Sequence, residues 1–157
     1  MSVVDVTYED ELMVKRAPLV LVESTVQAIL NFLDKTESEV ACTFVSDASM
    51  QELNFTYRGK RESTDILSFA QIDEDDDFSF PPHPEDSKFL GDIVISLDAM
   101  ERNCEDFKVE VDEELTRLLV HGILHLLGWD HETNDDSEPM LIKQEEMVKM
   151  MRKESIA

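Results

Sequence analysis

The sequence predicts a single α+β domain in which a small mixed sheet of about four strands is packed by helices. The chain has 157 residues, of which 42% are hydrophobic, and this size suits one globular core. Four short segments have strand-like patterns, and they are interspersed with segments whose apolar residues recur at helical spacing. One of these helices is apolar nearly all round, which predicts that it lies buried at the centre of the domain.

The first part of the chain predicts a strand, a helix and a second strand. Val3 to Tyr8 forms the first strand, and Pro18 suits the opening of the helix. Val40 to Ser46 is apolar on both faces, as expected of a central strand. The apolar positions of the helix are Leu19, Val22, Val26, Ile29, Leu30 and Leu33.

A second helix is expected to follow this strand directly. Asp47 can cap its beginning, and it ends around Arg58 and Gly59, a basic residue followed by a C-terminal glycine. Its buried positions are expected to be Met50, Leu53 and Tyr57.

The middle of the chain predicts two more strands, Thr64 to Ala70 and Leu90 to Leu97. Between them lies the segment Ile72 to Phe89, which contains five consecutive acidic residues and three prolines. Such a composition does not pack as a core element, so residues 72–89 are expected to form an acidic, proline-rich surface loop within one domain of residues 1–157. His83 lies in this loop and is expected to be solvated.

Three helices are expected to complete the chain. Asp98 can cap a short helix that reaches about Phe107, and Asp112 can cap the apolar central helix. Ser137 to Met151 forms the last helix, where Pro139 is tolerated in the first turn. Its inward-facing positions are Met140, Met147, Val148 and Met151.

The central helix carries an array of histidines. His121 and His125 are four residues apart, so both imidazoles project from one helical face. Gly128 can take the left-handed conformation that ends a helix, and the reversed chain can bring His131 back to the other two. A lone histidine on an apolar helix is usually a hydrogen-bonded core residue, but three at this spacing predict one metal ion. Three nitrogen ligands leave a tetrahedral position open, as in a catalytic zinc site.

The histidine array lacks the base of a common peptidase. In metalloproteases of the H-E-x-x-H type, a glutamate follows the first histidine and takes a proton from the metal-bound water. Here that residue is Gly122. Hydrolysis stays possible through a Lewis-acidic ion, with weaker support for peptide substrates. Three histidines suit Zn²⁺, and nickel, cobalt or iron would also fit.

The charge of the chain argues against a polyanionic partner. There are 14 basic and 36 acidic residues, giving a formal net charge of -22. The densest basic stretch is residues 58–61, with Arg58, Lys60 and Arg61.

Cys42 and Cys104 are expected to be reduced core thiols. No apolar run is long enough for a membrane span, so we expect no membrane association and a cytoplasmic location.

Four motifs of the chain together resemble the YbeY family, bacterial metal-dependent endoribonucleases of ribosomal RNA maturation. The histidine motif is His-Gly-x-Leu-His-Leu-x-Gly-x-Asp-His, at residues 121–131. The others are Leu-Asn-x-x-Tyr-Arg-Gly-Lys at 53–60, Thr-Asp-x-Leu-Ser-Phe at 64–69 and Leu-Gly-Asp-Ile-Val-Ile at 90–95. They stand in the family's order, and the resemblance covers about residues 40–151. Ser63 and Ala70 depart from it, at places where the family often has proline.

The resemblance implies metal-binding, phosphate-binding and packing roles for particular residues of these motifs and of the last helix. His121, His125 and His131 would be the metal ligands, and Arg58 would be the arginine near the metal pocket that binds the scissile phosphate. Without the resemblance, a helix C-terminal cation is an equally good interpretation of Arg58. Lys60 and Arg61 could extend a phosphate-binding surface or be ordinary solvated cations. Met140 matches a methionine of the family's last helix and is expected to pack beneath the site.

Three acidic residues of the motifs are left open by the sequence. Asp130 could orient an imidazole or serve as a base, or it could be an ordinary turn residue. Asp65 and Asp92 are typical of the family, but their chemistry is not evident from the residues.

Three functions follow from these observations. The resemblance implies a zinc-dependent, single-strand-specific endoribonuclease of 16S rRNA maturation and ribosome quality control, with one Zn²⁺ per chain. Its partners would be rRNA and the small ribosomal subunit, with a small-subunit ribosomal protein and an Era-type GTPase as further partners. The first alternative is a zinc metallopeptidase or other metallohydrolase, because the histidine spacing also resembles that of metzincin proteases. The second is a non-catalytic ribosome-assembly factor with a structural metal, whose acidic surface docks basic ribosomal proteins.

Overall fold

Four strands and five α-helices make up the part of the chain that the computed structural model describes, residues 3–60, 62, 64–70, 88–131, 133, 135 and 137–156. In chain order the elements are β1 (Val3–Tyr8), a short 3₁₀ helix (Glu11–Lys15), α1 (Leu19–Phe32), β2 (Glu39–Val45), α2 (Asp47–Arg58), β3 (Ile66–Ala70), β4 (Phe89–Ser96), α3 (Leu97–Phe107), α4 (Val111–Leu126) and α5 (Pro139–Ile156).

The strands form one mixed sheet in the order β1-β2-β4-β3. β2 runs parallel to β1 and to β4, whereas β3 is antiparallel to β4. Cys42 in β2 pairs with Val6 on one side and with Ile93 on the other, so β2 is a central strand, as its two apolar faces predicted. The predicted α+β domain with a four-stranded mixed sheet is confirmed.

The two faces of the sheet pack against different helices. On one face, Val40, Cys42 and Phe44 join Ile93 and Ile95 in a core shared with residues of α1, α3, α4 and α5. On the other face, Leu67 of β3 packs with Met50 of α2. Nearly every residue of α4 from Leu118 to Leu126 is buried except the histidines, so the predicted central helix is confirmed.

The helix caps differ from the sequence prediction at three places. Ser46, and not Asp47, caps α2, and Ser96, and not Asp98, caps α3; each serine oxygen accepts a backbone N–H three residues ahead. In both cases a serine precedes the aspartate, and the aspartate lies in the first turn, where its charge favours the positive end of the helix. α4 begins after Glu110, so Asp112 also lies in the first turn and does not cap it.

Several boundaries and burial predictions also change. Tyr57, expected in the core, is 63% exposed, and Asn54 is buried in its place. Tyr57 lies in the last turn of α2, where its ring contacts Phe69 at a centroid distance of 5.0 Å. α5 extends to Ile156, beyond the expected end at residue 151.

The acidic segment is only partly described. Phe89, expected to end the surface loop, is the first residue of β4. Residues 72–87 of that loop, with His83, lie outside the described residues, as do Arg61 and Ser63.

Cys42 is buried, while Cys104 is only partly buried; both are free thiols. Among the described residues, no helix combines the length and apolarity that crossing a membrane requires.

Candidate metal centre

The three histidines of the array meet at one end of α4. His121 and His125 lie in its last two turns, and Gly128, at φ +99°, reverses the chain so that His131 returns beside them. One ligand atom from each residue lies within 4.8 Å of the others. The predicted return of the chain at Gly128 is therefore present, and the three side chains can together hold one metal ion.

Each imidazole has an acceptor for the proton of its Nδ1 atom. Nδ1 of His121 lies 2.6 Å from Oε1 of Gln144, and Nδ1 of His125 lies 3.0 Å from the carbonyl oxygen of Trp129. Nδ1 of His131 lies 2.8 Å from the carbonyl oxygen of Thr133. These oxygens only accept, so each Nδ1 must carry the hydrogen of a neutral ring. The lone pair of all three imidazoles is then on Nε2, so Nε2 is the atom that each ring offers to a metal ion.

The Nε2 atoms of His121 and His125 lie 3.0 Å apart. With both rings protonated on Nδ1, two lone pairs face each other at this distance, an arrangement that a shared cation would relieve. Two nitrogen ligands of a tetrahedral zinc ion are separated by about 3.3 Å, as follows from Zn–N bonds of about 2.0–2.1 Å. The histidines therefore fit such an ion after a small outward movement.

Burial keeps two of these ligands neutral. Desolvation is the main cause that lowers the pKa of His121, and it also lowers the pKa of His125, with help from the neighbouring His121. The lowered pKa favours the uncharged form of both imidazoles, which is the form that binds a metal ion.

Gln144 of α5 is a site residue that the sequence prediction missed. Its Nε2 donates to Oε2 of Glu145 at 2.9 Å, which leaves Oε1 for His121 and fixes the orientation of the amide. Glu145 in turn accepts from Arg117 at 2.9 Å. The signal was available: residue 144 is polar but stands four residues after Met140 on the buried stripe of the helix, where an unpaired amide would be costly.

The histidines form part of the wall of a large cleft. The cleft has a volume of about 1430 Å³ and is lined by residues of α2, β3, α3, α4 and α5, together with residues 128–131. Pockets for small ligands have volumes of about 300–1,000 Å³. A cleft of this size suits a segment of a polymer better than a small molecule.

Arg58 and Arg117 are the cations among the described residues that line this cleft. Arg58 ends α2, as predicted, and within the described chain no carboxylate forms an ion pair with it. Arg117 is bound by Glu145, Glu114 and Glu113, and these hydrogen bonds raise its pKa. Arg58 is therefore available to an anionic ligand, and Arg117 is already neutralised.

Arg117 belongs to a network of polar side chains that the sequence prediction missed. Glu114 is 3% exposed, and burial raises the pKa of its carboxyl against the opposing hydrogen bonds of Arg117 and Asn103. Asn103 also donates to Oδ2 of Asp65 at 3.1 Å. Asp65, which the sequence left without a role, therefore belongs to the cleft wall and links β3 to α3 and α4.

The position of the missing glutamate faces the sheet. A Cβ atom at Gly122 would lie 2.9 Å from Cδ1 of Ile93 and 3.0 Å from Cδ1 of Ile66. α4 lies close against β3 and β4 there, so a side chain at residue 122 would have to displace the Cδ1 ends of Ile93 and Ile66. Residue 122 is also not among the residues that line the cleft, so this position is unfavourable for a peptidase base.

Two further predictions have an outcome in this region. Oδ1 of Asp130 accepts the backbone N–H of His131 at 2.8 Å, which is the turn role that the sequence left open beside a catalytic one. Met140 is fully buried and belongs to the core, as expected of a packing residue.

Comparison with known proteins gives consistent matches over most of the chain. The family model described as "Endoribonuclease YbeY" matches residues 7–152. An Endoribonuclease YbeY of Treponema denticola is 43% identical over 129 residues, which are 82% of this chain and 81% of that protein. One of Shouchella clausii is 44% identical over 114 residues, 71% of each chain. A solution structure from Thermotoga maritima has a TM-score of 0.61 and 28% identity, and the match covers 96% of this chain and 90% of that one.

Proposed function

The chain belongs to the YbeY family of endoribonucleases, and from this premise we propose that it cleaves single-stranded RNA with one Zn²⁺ held by His121, His125 and His131. As a member of that family it is a hydrolytic enzyme. The proposal extends to its substrate, the precursor of 16S rRNA, and to a role in ribosome quality control. The single observation that supports the metal most directly is the set of three Nε2 lone pairs, each fixed by a hydrogen-bond acceptor at Nδ1.

The protein residues divide the work at this site. A bound zinc ion supplies Lewis acidity at neutral pH. Arg58 binds the phosphodiester, because its guanidinium offers a planar fork of donors and is free of carboxylates among the described residues. Such a donor stabilises the negative charge that grows on the phosphate during cleavage. Gln144 holds the ring of His121 in the orientation that a metal ligand needs.

Peptide hydrolysis has less support from the structure than RNA hydrolysis. The base of H-E-x-x-H peptidases is absent, and the packing of Gly122 against Ile93 disfavours a glutamate at this position. A purely structural metal is also disfavoured, because the histidines line an open cleft, whereas structural zinc sites are closed by four protein ligands.

An experiment on two cations tests the proposal. Purified wild type, Arg58→Ala and Lys60→Ala would be analysed for metal content and for cleavage of a defined 16S rRNA precursor. Arg58→Ala should keep one zinc ion per chain and lose about 10²- to 10³-fold in cleavage rate. Lys60 is a neighbouring cation that does not line the cleft, so its variant should cleave at nearly the wild-type rate. Full cleavage by metal-free protein, or by Arg58→Ala, would contradict the assignment.

The proposed partners and location follow from the same function. We expect the protein in the cytoplasm on the small ribosomal subunit, with a small-subunit ribosomal protein and an Era-type GTPase as partners. A net charge of -22 favours docking on basic ribosomal proteins. Co-sedimentation with 30S particles across a salt series would test it; binding that does not weaken with salt would argue against an electrostatic surface.

A further inference from the structure

The cleft that holds the candidate metal centre exposes three aromatic side chains. Tyr57 is 63% exposed, Phe107 is 67% exposed and Trp129 is 39% exposed, and all three line the cleft. Large aromatic side chains contribute strongly to the stability of a core when they are buried. Three of them exposed around one cleft indicate a surface that binds a partner.

The aromatic residues stand beside the functional groups of the site. Tyr57 directly precedes Arg58 in the last turn of α2, and its ring leans on Phe69 at an interplanar angle of 60°. The backbone of Trp129 is held at both polar groups: its N–H donates to the carbonyl of Leu124 at 3.0 Å, and its carbonyl faces Nδ1 of His125. The indole is therefore presented from a hydrogen-bonded backbone next to His125, one of the candidate metal ligands.

The charges that line the cleft can make only a weak electrostatic contribution to RNA affinity. Of the two arginines among the described lining residues, Arg117 is neutralised by carboxylates, and only Arg58 is available. Asp65 and Asp130 line the same cleft and add negative charge. A strand of RNA bound here must obtain most of its affinity from contacts other than phosphate neutralisation.

We propose that Tyr57, Phe107 and Trp129 form a base-stacking surface that binds unpaired nucleotides of single-stranded RNA beside the metal centre. This inference rests on the proposed ribonuclease function and names how its substrate is held. Every base has a π-face, so stacking tolerates many sequences, but it requires bases that are not already stacked in a duplex. The surface thereby gives a physical reason for a preference for single strands, and it reconciles RNA binding with a strongly acidic chain.

The only tryptophan of the chain makes a direct measurement possible. Because Trp129 is the sole tryptophan, its fluorescence reports on the cleft alone. Titration of the zinc-loaded protein with an unstructured RNA of about 12 nucleotides should quench this fluorescence, since a stacked base contacts the indole. A duplex of the same sequence, and an oligonucleotide with the same backbone but abasic sugars, should cause little quenching. The RNA is checked for intactness on a gel after each titration.

Substitutions test the contribution of Tyr57 and Trp129 to binding. Trp129→Ala and Tyr57→Ala should each weaken RNA binding about tenfold, measured by anisotropy of labelled RNA, with metal content unchanged. Trp129→Phe and Tyr57→Phe keep a ring and should bind within about threefold of wild type. Phe55→Ala is the matched control, because Phe55 is an exposed aromatic residue of the same helix that does not line the cleft. It should bind RNA as wild type does.

The salt dependence separates stacking from charge. With one or two phosphates neutralised, log K should fall against log salt with a slope between about -0.7 and -1.4. A slope steeper than about -3, or wild-type affinity in both alanine variants and for the abasic strand, would overturn the stacking surface while leaving ribonuclease activity in place. If the wild type neither binds nor cleaves single-stranded RNA at any salt concentration, the proposed function itself fails.

Discussion

Replacing Gln144 with leucine should weaken zinc binding without disturbing the fold. Oε1 of Gln144 accepts from Nδ1 of His121 at 2.6 Å, and the side chain is 7% exposed, so water cannot replace it. With zinc bound, Nδ1 must carry the proton and would be left buried without an acceptor, which costs about 1–3 kcal/mol. Without zinc, the ring can move its proton to Nε2, where the Nε2 atom of His125, 3.0 Å away, accepts it. The penalty therefore falls on the metal-bound state.

The expected loss in zinc affinity is about 5- to 150-fold, from that penalty and the usual relation between free energy and affinity. It would be measured by competition with a chromophoric chelator of known affinity, together with the melting temperature of the metal-free protein. Gln27→Leu is the control, because Gln27 also donates a side-chain hydrogen bond, to Asn31 at 2.9 Å, but on α1 outside the cleft. Wild-type zinc affinity in a correctly folded Gln144→Leu protein would refute the argument that this amide sets the tautomer of His121.

The remaining predictions concern the fold around the site and the pH dependence of stability. Gly91→Ala should lower stability by about 3 kcal/mol or more, because φ is +143° and a Cβ would lie 2.2 Å from the carbonyl oxygen of Phe69. Gly59→Ala, at φ +70° in open space, should lose only about 1 kcal/mol; equal melting temperatures for the two variants would contradict this difference. Gly122→Glu should fail to fold, as monitored by circular dichroism, because a carboxylate would be forced between α4 and the sheet; a folded variant with peptidase activity would show that our account of residue 122 is wrong. Burial raises the pKa of the Cys42 thiol to about 12 from a usual value of 9.0, so its contribution to stability is complete below about pH 9 and is lost as the pH rises towards 12. Denaturant titrations of wild type and Cys42→Ala should therefore converge as the pH rises over that range, and a difference that does not change with pH would count against a buried neutral thiol.

Local patterns in the sequence predicted much of the fold because apolar spacing is a local property. The two apolar faces of β2 predicted its central position, and the apolar surround of His121 and His125 predicted a buried α4. The predicted caps of α2 and α3 were wrong by one and two residues, because a serine and an aspartate stand close together at the start of each helix and both can cap it. The sequence could not specify which of the two accepts the free backbone N–H groups.

Contacts between distant segments were harder to predict than local elements. The histidine spacing was sufficient to predict a shared ion, because all three ligands lie within eleven residues. Gln144 and Asn103 join the site from other helices, and no short motif connects them to it. The exposed position of Tyr57 was missed for a related reason: helical spacing places it on the same face as Met50, but the spacing does not show where the neighbouring strand stops covering that face.

The acidity of the chain is less of an obstacle to RNA cleavage than its total charge suggests. At physiological salt, charges more than about 8 Å from a phosphate are largely screened, so carboxylates on remote surfaces have little effect inside the cleft. Within the cleft, Glu114 and Glu145 are paired with Arg117, which reduces the field that an incoming strand meets. Arg58, which forms no ion pair with another described residue, stands next to Tyr57, so one phosphate and one adjacent base can be bound together. A substrate held this way needs one cation and one exposed aromatic ring from the protein, and an acidic protein can supply both.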